Sequence, residues 1–230
     1  LKSVIQDHNQ GVVTIAWALP DVYEVGMSNL GLKILYEILN DQGNIAAERV
    51  YAPWVDMENA LWTNNMSLYS LETYTPLKKF DAIGFSLQYE LIYTNVINML
   101  NLSDIPIIAS ERGMEDPFII GGGPCAFNPE PVADFFDFFI IGEGEEVILD
   151  VMNSIISWKK NKMAGGRKGL LKLVAKIEGV YVPSFYDVIY NDDNTVKAFV
   201  SNEVEANIIV NKKDIKNLDS AKFPTKPVVP

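Results

Sequence analysis

The sequence predicts a doubly wound α/β domain on a mainly parallel sheet, with a small α+β extension toward the carboxyl terminus. Three observations predict it. Short apolar runs rich in β-formers recur along the first two thirds of the chain, stretches with helical apolar spacing separate them, and turn-forming residues follow them. Strands covered on both faces read as continuous apolar runs, and the crossovers between them are right-handed.

The first run, residues 12–19 (VVTIAWAL), stops at Pro20-Asp21, and a helical pattern occupies residues 29–39. A second strand over 47–51 is followed by Pro53 and by a helix over 56–62 that turns Met57, Ala60 and Leu61 inward. The third strand is 82–87 (AIGFSL); the helix after it, 91–102, presents Leu91, Ile92, Val96, Ile97, Met99 and Leu100 as its apolar face. Residues 118–120 form a fourth strand that runs into three glycines. Residues 138–141 form a fifth that runs into Gly142-Glu143-Gly144-Glu145, ahead of a helix reaching about Lys160. These elements make residues 1–165 one domain. Residues 166–213 form the extension, with a short helix over 170–177, a strand over 180–182 and a hairpin of 188–190 with 196–200. The hairpin turn, Asn191-Asp192-Asp193-Asn194, tolerates left-handed backbone. Past Asp214 the periodicity disappears, and Pro224, Pro227 and Pro230 mark 214–230 as a linker.

A formal charge of −11 disfavours binding to phosphate backbones, so no nucleic-acid partner is expected. The basic cluster Lys159, Lys160, Lys162, Arg167 and Lys168 reads as a solvated helix end. No apolar stretch is long enough to suggest a membrane helix, and residues 1–10 lack a signal-peptide pattern. With Cys125 as the single cysteine, a disulfide framework and an all-cysteine metal site are excluded for this chain, which fits a reducing cytoplasm. Cys125 itself reads as a small packing residue.

In an open parallel sheet, ligands bind outside the carboxyl ends of the strands. The loops there contain Asp21, Tyr23 and Gly26 after the first strand, Ser86 after the third, Gly121, Gly122 and Gly123 after the fourth, and Gly142 and Glu143 after the fifth. Gly26 and Gly31 either admit a ligand or serve the turn, with Ser28 or Asn29 capping the helix. The three consecutive glycines favour close approach of something to the backbone. Glu143, Glu145 and Glu146 suit a helix amino terminus electrostatically, without implying metal chemistry. Trp54, Trp62, Tyr69 and Tyr74 read as core or interface packing rather than a stacking platform, given the acidic background. Tyr23, Gly26, Ser86 and Gly122 are expected to line one cleft.

Taken together, the segments 19–31 (LPDVYEVGMSNLG), 85–90 (FSLQYE), 122–131 (GGPCAFNPEP) and 141–146 (IGEGEE), with the tail 217–224, resemble a bacterial family of radical SAM proteins that carry a cobalamin-binding-like domain in front. The resemblance covers essentially the whole chain. It implies a Rossmann-like, flavodoxin-type fold and an accessory, non-catalytic role beside a radical SAM barrel of the same polypeptide. That barrel would hold a [4Fe-4S] cluster on three cysteines and cleave S-adenosylmethionine; this chain lacks those cysteines.

Cobalamin domains that ligate cobalt through histidine show Asp-x-His-x-x-Gly after the first strand. Here the matching residues are Asp21, Tyr23 and Gly26, so tyrosine stands in the ligand position. A phenol with a pKa of about 10 is a poor ligand beside an imidazole that is mostly neutral at pH 7. The resemblance therefore implies cobalamin bound without a histidine ligand, its nucleotide tail shaped by Ser86 and Gly121 to Gly123. His8, in a His-x-x-Gly with Gly11, precedes the first strand and is not assigned this role. Two other readings stay open: a cofactor-free docking or substrate-selection module, and a nucleotide- or flavin-binding oxidoreductase. The second is disfavoured because the first helix opens with Gly26 and Gly31 rather than Gly-x-Gly-x-x-Gly.

Overall fold

A computed structural model describes residues 11–215. In chain order they form β1 (Val13–Leu19), α1 (Tyr23–Gly26), α2 (Leu30–Asn40), β2 (Ile45–Tyr51), α3 (Val55–Thr63), β3 (Ala82–Ser86) and α4 (Tyr93–Asn101). These are followed by β4 (Phe118–Gly122), β5 (Phe138–Ile140), α5 (Gly144–Lys160), α6 (Gly166–Val174), β6 (Val180–Tyr181), β7 (Tyr186–Tyr190) and β8 (Val196–Ser201). The main sheet has the order β2-β1-β3-β4-β5-β6. Its first five strands are parallel, and β6 closes the edge antiparallel to β5. This is the doubly wound α/β architecture that the sequence predicts.

Side-chain alternation along the strands sorts the core into two layers. On β1, Val13, Ile15, Trp17 and Leu19 face the layer built with α2 and α5, while Ala16 and Ala18 face the layer built with α3 and α4. Helix α2 begins where it does because Asn29 caps it, its side-chain oxygen accepting the Leu32 N–H at 2.8 Å. Ser28 instead donates to the Val25 carbonyl at 3.0 Å.

Several details depart from the sequence reading. Strand β4 continues to Gly122, so two of the three glycines are paired in the sheet, Phe85 opposite Gly121 and Ser86 opposite Gly122. Leu91 is 85 % exposed, because residues Glu90–Ile92 form a 3-10 turn and the α-helix starts only at Tyr93. On α3 the buried residue is Leu61, and Ala60 faces outward. Helix α6 starts at Gly166 and sends Leu170 and Val174 into the first core layer, while β6 joins the main sheet. Only β7 and β8 form a sheet of their own.

The basic cluster is likewise not uniformly solvated. Arg167 bonds Asp137 Oδ1 at 2.7 Å and lies 4.0 Å over the Phe118 ring, while Arg112 holds Asp137 Oδ2 at 2.9 Å. Arg112 also donates to the carbonyls of Pro106, Ile107 and Phe135, so this ion pair ties the segment before β4 to the segment before β5. Near the end of the described chain, Lys213 pairs in parallel with Gly142. Its N–H donates to Ile141 O at 2.9 Å, and its carbonyl accepts from Glu143 N at 2.8 Å. His8 and most of the expected linker, residues 216–230, lie outside the described residues. Among the described residues no helix is long and apolar enough to cross a membrane.

Candidate ligand-binding cleft

The chain leaves β1 toward β2 on one side and leaves β3 toward β4 on the other, so a crevice opens at the carboxyl edge where the order reverses. A cleft of about 230 Å³ lies there, on the face covered by α2 and α5. Trp17 of β1, Ser86 of β3, Gly122 of β4 and Ile140 of β5 line it from the sheet. Leu35 of α2 and Ile148 of α5 are the apolar contribution of the helices, and Glu143, Gly144 and Glu145 come from the opening of α5. Strand parity explains this set, because all four sheet residues belong to the face on which Val13, Ile15, Phe118 and Phe138 are buried.

The neighbouring glycines are used in different ways. At Gly122 an added Cβ would meet nothing within 4 Å, so the missing side chain leaves space. Gly121 points to the opposite face, where a Cβ would sit 2.5 Å from the Phe139 ring. Gly123, at φ 94°, crosses the Leu87 backbone, with a Cβ position 3.0 Å from Leu87 O. Leu87 N donates to Gly122 O at 2.7 Å and Cys125 N to Leu87 O at 3.0 Å, which zips the loops after β3 and β4 together. Gly142, at φ 106°, makes room for the Lys213 backbone and also borders the cleft.

Of the residues expected from sequence, Ser86, Gly122, Gly123, Gly142 and Glu143 line this cleft, whereas Asp21, Tyr23, Gly26 and Gly121 are not among its lining. Tyr23 packs edge-on against Tyr51, with ring centroids 5.4 Å apart, and the space left by Gly26 is taken by that same Tyr51 ring. The expectation that Tyr23 and Gly26 share a cleft with Ser86 and Gly122 is therefore corrected. The loop after β1 is used for packing. Asp21 accepts from the Tyr89 hydroxyl at 2.7 Å, which bridges the loops after β1 and β3 and raises the Tyr89 phenol above its ordinary value. Ser86 Oγ accepts from Gln88 Nε2 at 2.7 Å. The Glu143 carboxylate accepts from Ile215 N, so it is tied to the returning chain.

Trp17, Leu35, Ile140 and Ile148 are cleft residues that the sequence reading did not single out. The signal available for Trp17 was a large aromatic on a strand whose neighbour carries Gly84. In the structure a Cβ at Gly84 would lie 2.6 Å from Cε3 of the Trp17 indole, so the glycine admits the ring. Trp17 is 5 % exposed, and its Nε1 has no hydrogen-bond partner among the described residues. Buried donors without partners are rare in folded proteins. Cys125 packs partly against the second core layer, and burial together with this thiol pushes the Tyr93 phenol up to about 12. Among the described residues no group of three His, Cys, Asp or Glu side chains is placed to hold a metal ion.

An uncharacterized protein of Methanocaldococcus jannaschii is 30 % identical over 145 residues, a match that covers 62 % of this chain and 27 % of that protein. The chain thus spans about a quarter of the length of this curated relative. Among solved structures, the cobalamin-dependent S-adenosylmethionine radical enzyme OxsB, with aqua-cobalamin bound, is similar over 84 % of this chain and 23 % of its own. The TM-score there is 0.43 and the identity 15 %. The radical S-adenosylmethionine methyltransferase TsrM from Kitasatospora setae, with cobalamin and a [4Fe-4S] cluster bound, is similar over 85 % of this chain and 32 % of its own, at a TM-score of 0.45 and 14 % identity. Residues 31–183 match the model of a family described as radical SAM proteins, N-terminal. That span runs from the first turn of α2 to just beyond β6 and includes most of the cleft, and the chain belongs to this family of radical SAM amino-terminal domains.

Proposed function

We propose that this chain is the accessory amino-terminal module of a radical SAM protein and that its cleft takes the nucleotide tail of a cobalamin with no protein ligand on cobalt. The observation that carries the reading is Gly122: it lies at the carboxyl edge beside the switch point, and a side chain there would occupy the cleft. The apolar surfaces of Leu35, Ile140 and Ile148 suit a flat ring. Tyr23, at the position where the resembled motif has histidine, is occupied with Tyr51. When bound, cobalamin supplies a cobalt centre that changes oxidation state and carries alkyl groups. The [4Fe-4S] cluster, S-adenosylmethionine and the barrel that uses them belong, in this reading, to the remainder of the polypeptide, since a cluster normally needs several thiolates and this chain has one cysteine.

Titration of the purified chain with hydroxocobalamin, followed by its visible spectrum, tests the proposal. Binding is expected to be lost in Gly122→Leu with the far-ultraviolet circular dichroism unchanged, and to persist in Tyr23→Phe. The electron paramagnetic resonance spectrum of the bound Co(II) form is expected to lack axial nitrogen splitting; its presence would overturn the ligand-free assignment. A cofactor-free docking module is the second reading, favoured by exposed apolar residues in the carboxyl-edge loops, including Val25 at 53 %, Trp54 at 67 % and Phe127 at 60 %. Failure of the intact fold to bind cobalamin selects it.

A further inference from the structure

Gly142 and Glu143 line the cleft but lie past the end of β5 at Ile140, so the parallel ladder does not fix them. The returning chain does. Lys213 N donates to Ile141 O at 2.9 Å and Glu143 N donates to Lys213 O at 2.8 Å, while Ile141 N is held by Gly179 O at 2.7 Å. The Glu143 carboxylate accepts from Ile215 N, so residues 213–215 form a strap that grips both the backbone and the side chain of Glu143. Two glycines make the fit possible. A Cβ on Gly142 would lie 2.6 Å from Lys213 N, and one on Gly179 would lie 3.0 Å from Lys213 Cβ. Gly142 also takes φ 106°, a backbone conformation that suits glycine. The Lys213 ammonium adds a solvent-facing pair with Glu178 at 3.1 Å, a kind of contact that contributes little. The grip is therefore made by backbone. Glu143 is in turn the residue from which α5 opens, and Gly144 and Glu145 of its first turn line the cleft as well.

We propose that Lys213 is a positioning residue for the cleft: its backbone holds Gly142 and Glu143 in the conformation that receives the ligand, and a ligand in the cleft holds the strap in place. This rests on the cobalamin reading of the cleft. With the strap displaced, the loop after β5 loses the bonds from Lys213 and Ile215, and Gly142 is free to take other backbone conformations. Only a fraction of the molecules then present the receiving wall, and apparent affinity falls by that fraction. Coupling of this kind is reciprocal, so whatever the strap adds to ligand binding, the ligand adds to strap docking. The strap runs directly into residues 216–230, the stretch that the sequence marks as a linker. Occupancy of the cleft is thereby coupled to the start of that stretch.

The test uses the 15N-labelled chain with hydroxocobalamin as the probe, and combines spectral titration with amide hydrogen exchange at Glu143 and Lys213. Lys213→Pro removes the N–H given to Ile141 O and leaves every cleft-lining side chain in place, whereas Lys213→Ala keeps that N–H and removes only the ammonium. Saturating hydroxocobalamin is expected to slow exchange at both wild-type amides about tenfold, and Lys213→Pro to weaken binding by a similar factor while speeding exchange at Glu143. Lys213→Ala is expected to bind as the wild type does. Bound hydroxocobalamin with unchanged exchange at both amides overturns the inference and leaves the cobalamin reading standing. Wild-type affinity in Lys213→Pro does the same. Equal weakening in the two variants puts the effect in the ammonium, and unchanged Glu143 exchange in Lys213→Pro shows that the strap does not hold this loop; either result also overturns it. Wild-type chain that does not bind hydroxocobalamin overturns both readings together. Should Lys213→Pro fail to fold, protection of the two wild-type amides by hydroxocobalamin decides, since a strap that merely packs against the domain would not respond to the ligand.

Discussion

Gly121 and Gly122 are adjacent in β4, yet a methyl group added to each meets opposite surroundings, the Phe139 ring in one case and open space in the other. Gly121→Ala is therefore expected to overpack the second core layer and lose about 1–3 kcal/mol, whereas Gly122→Ala shifts stability by no more than about 0.5 kcal/mol. Urea denaturation of the pair measures this, and equal losses would show that β4 faces differently from the description above. Asp137 presents a second contrast of this kind. Its carboxylate is buried between Arg112 and Arg167 and also accepts from Ile119 N at 2.8 Å. Burial lowers the Arg112 guanidinium below its ordinary value, and Asp137 works against that shift. Removing one partner of a buried pair leaves an uncompensated charge, so Asp137→Ala should lose about 3–5 kcal/mol. A denaturation midpoint close to that of the wild type would mean that the two arginines find water or other acceptors.

At the scale of single elements, the cap of α2 places one side of the cleft. Asn29 holds the first turn, in which Gly31 borders the cleft, and Leu35 follows one turn later. Asn29→Ala is expected to lose about 1 kcal/mol by chemical denaturation, with Asn29→Ser retaining most of it. If serine proves as costly as alanine, the helix start depends on something other than a side-chain acceptor. The elements themselves were largely legible in the sequence. Continuous apolar runs and turn residues located β1 to β5 and the β7–β8 hairpin, because those patterns follow from burial on two faces and from backbone geometry. What was illegible were phases and ends. Leu91 looks like the first apolar residue of a helical stripe, but a 3-10 turn before Tyr93 changes the rotation, and only tertiary packing selects that turn. Similarly, β6 is two residues long, too short for periodicity to show that it completes the main sheet.

Across the whole molecule, burial of tyrosines makes the fold sensitive to alkali. Burial pushes Tyr51 up to about 12, Tyr93 reaches about 12 through burial and Cys125, and Tyr181 is raised by burial and by its bond to Glu130. In the unfolded chain each phenol titrates near about 10. Between the unfolded and folded values the unfolded chain has released protons that the native state keeps, so stability is fully present below pH ~10 and falls as pH rises through ~12. Urea midpoints at a series of pH values should show this decline, and Tyr51→Phe should make it shallower; a flat profile above pH 10 would exclude the buried-phenol origin. The sequence by itself determined the class of fold, the order of its strands along the chain, and the four loop segments at the carboxyl edge, because apolar periodicity and turn chemistry are local properties. Only the tertiary structure decided which loop residues meet in one place. Tyr23 and Gly26 were drawn away by Tyr51, Gly121 was turned to the opposite face by strand parity, and Trp17 was brought to the cleft by Gly84 on the neighbouring strand. The Tyr51 and Gly84 contacts join residues distant in the chain, and no spacing along the sequence encodes which strand lies beside which; the parity of Gly121 is local, but only the sheet shows which of its faces holds the cleft.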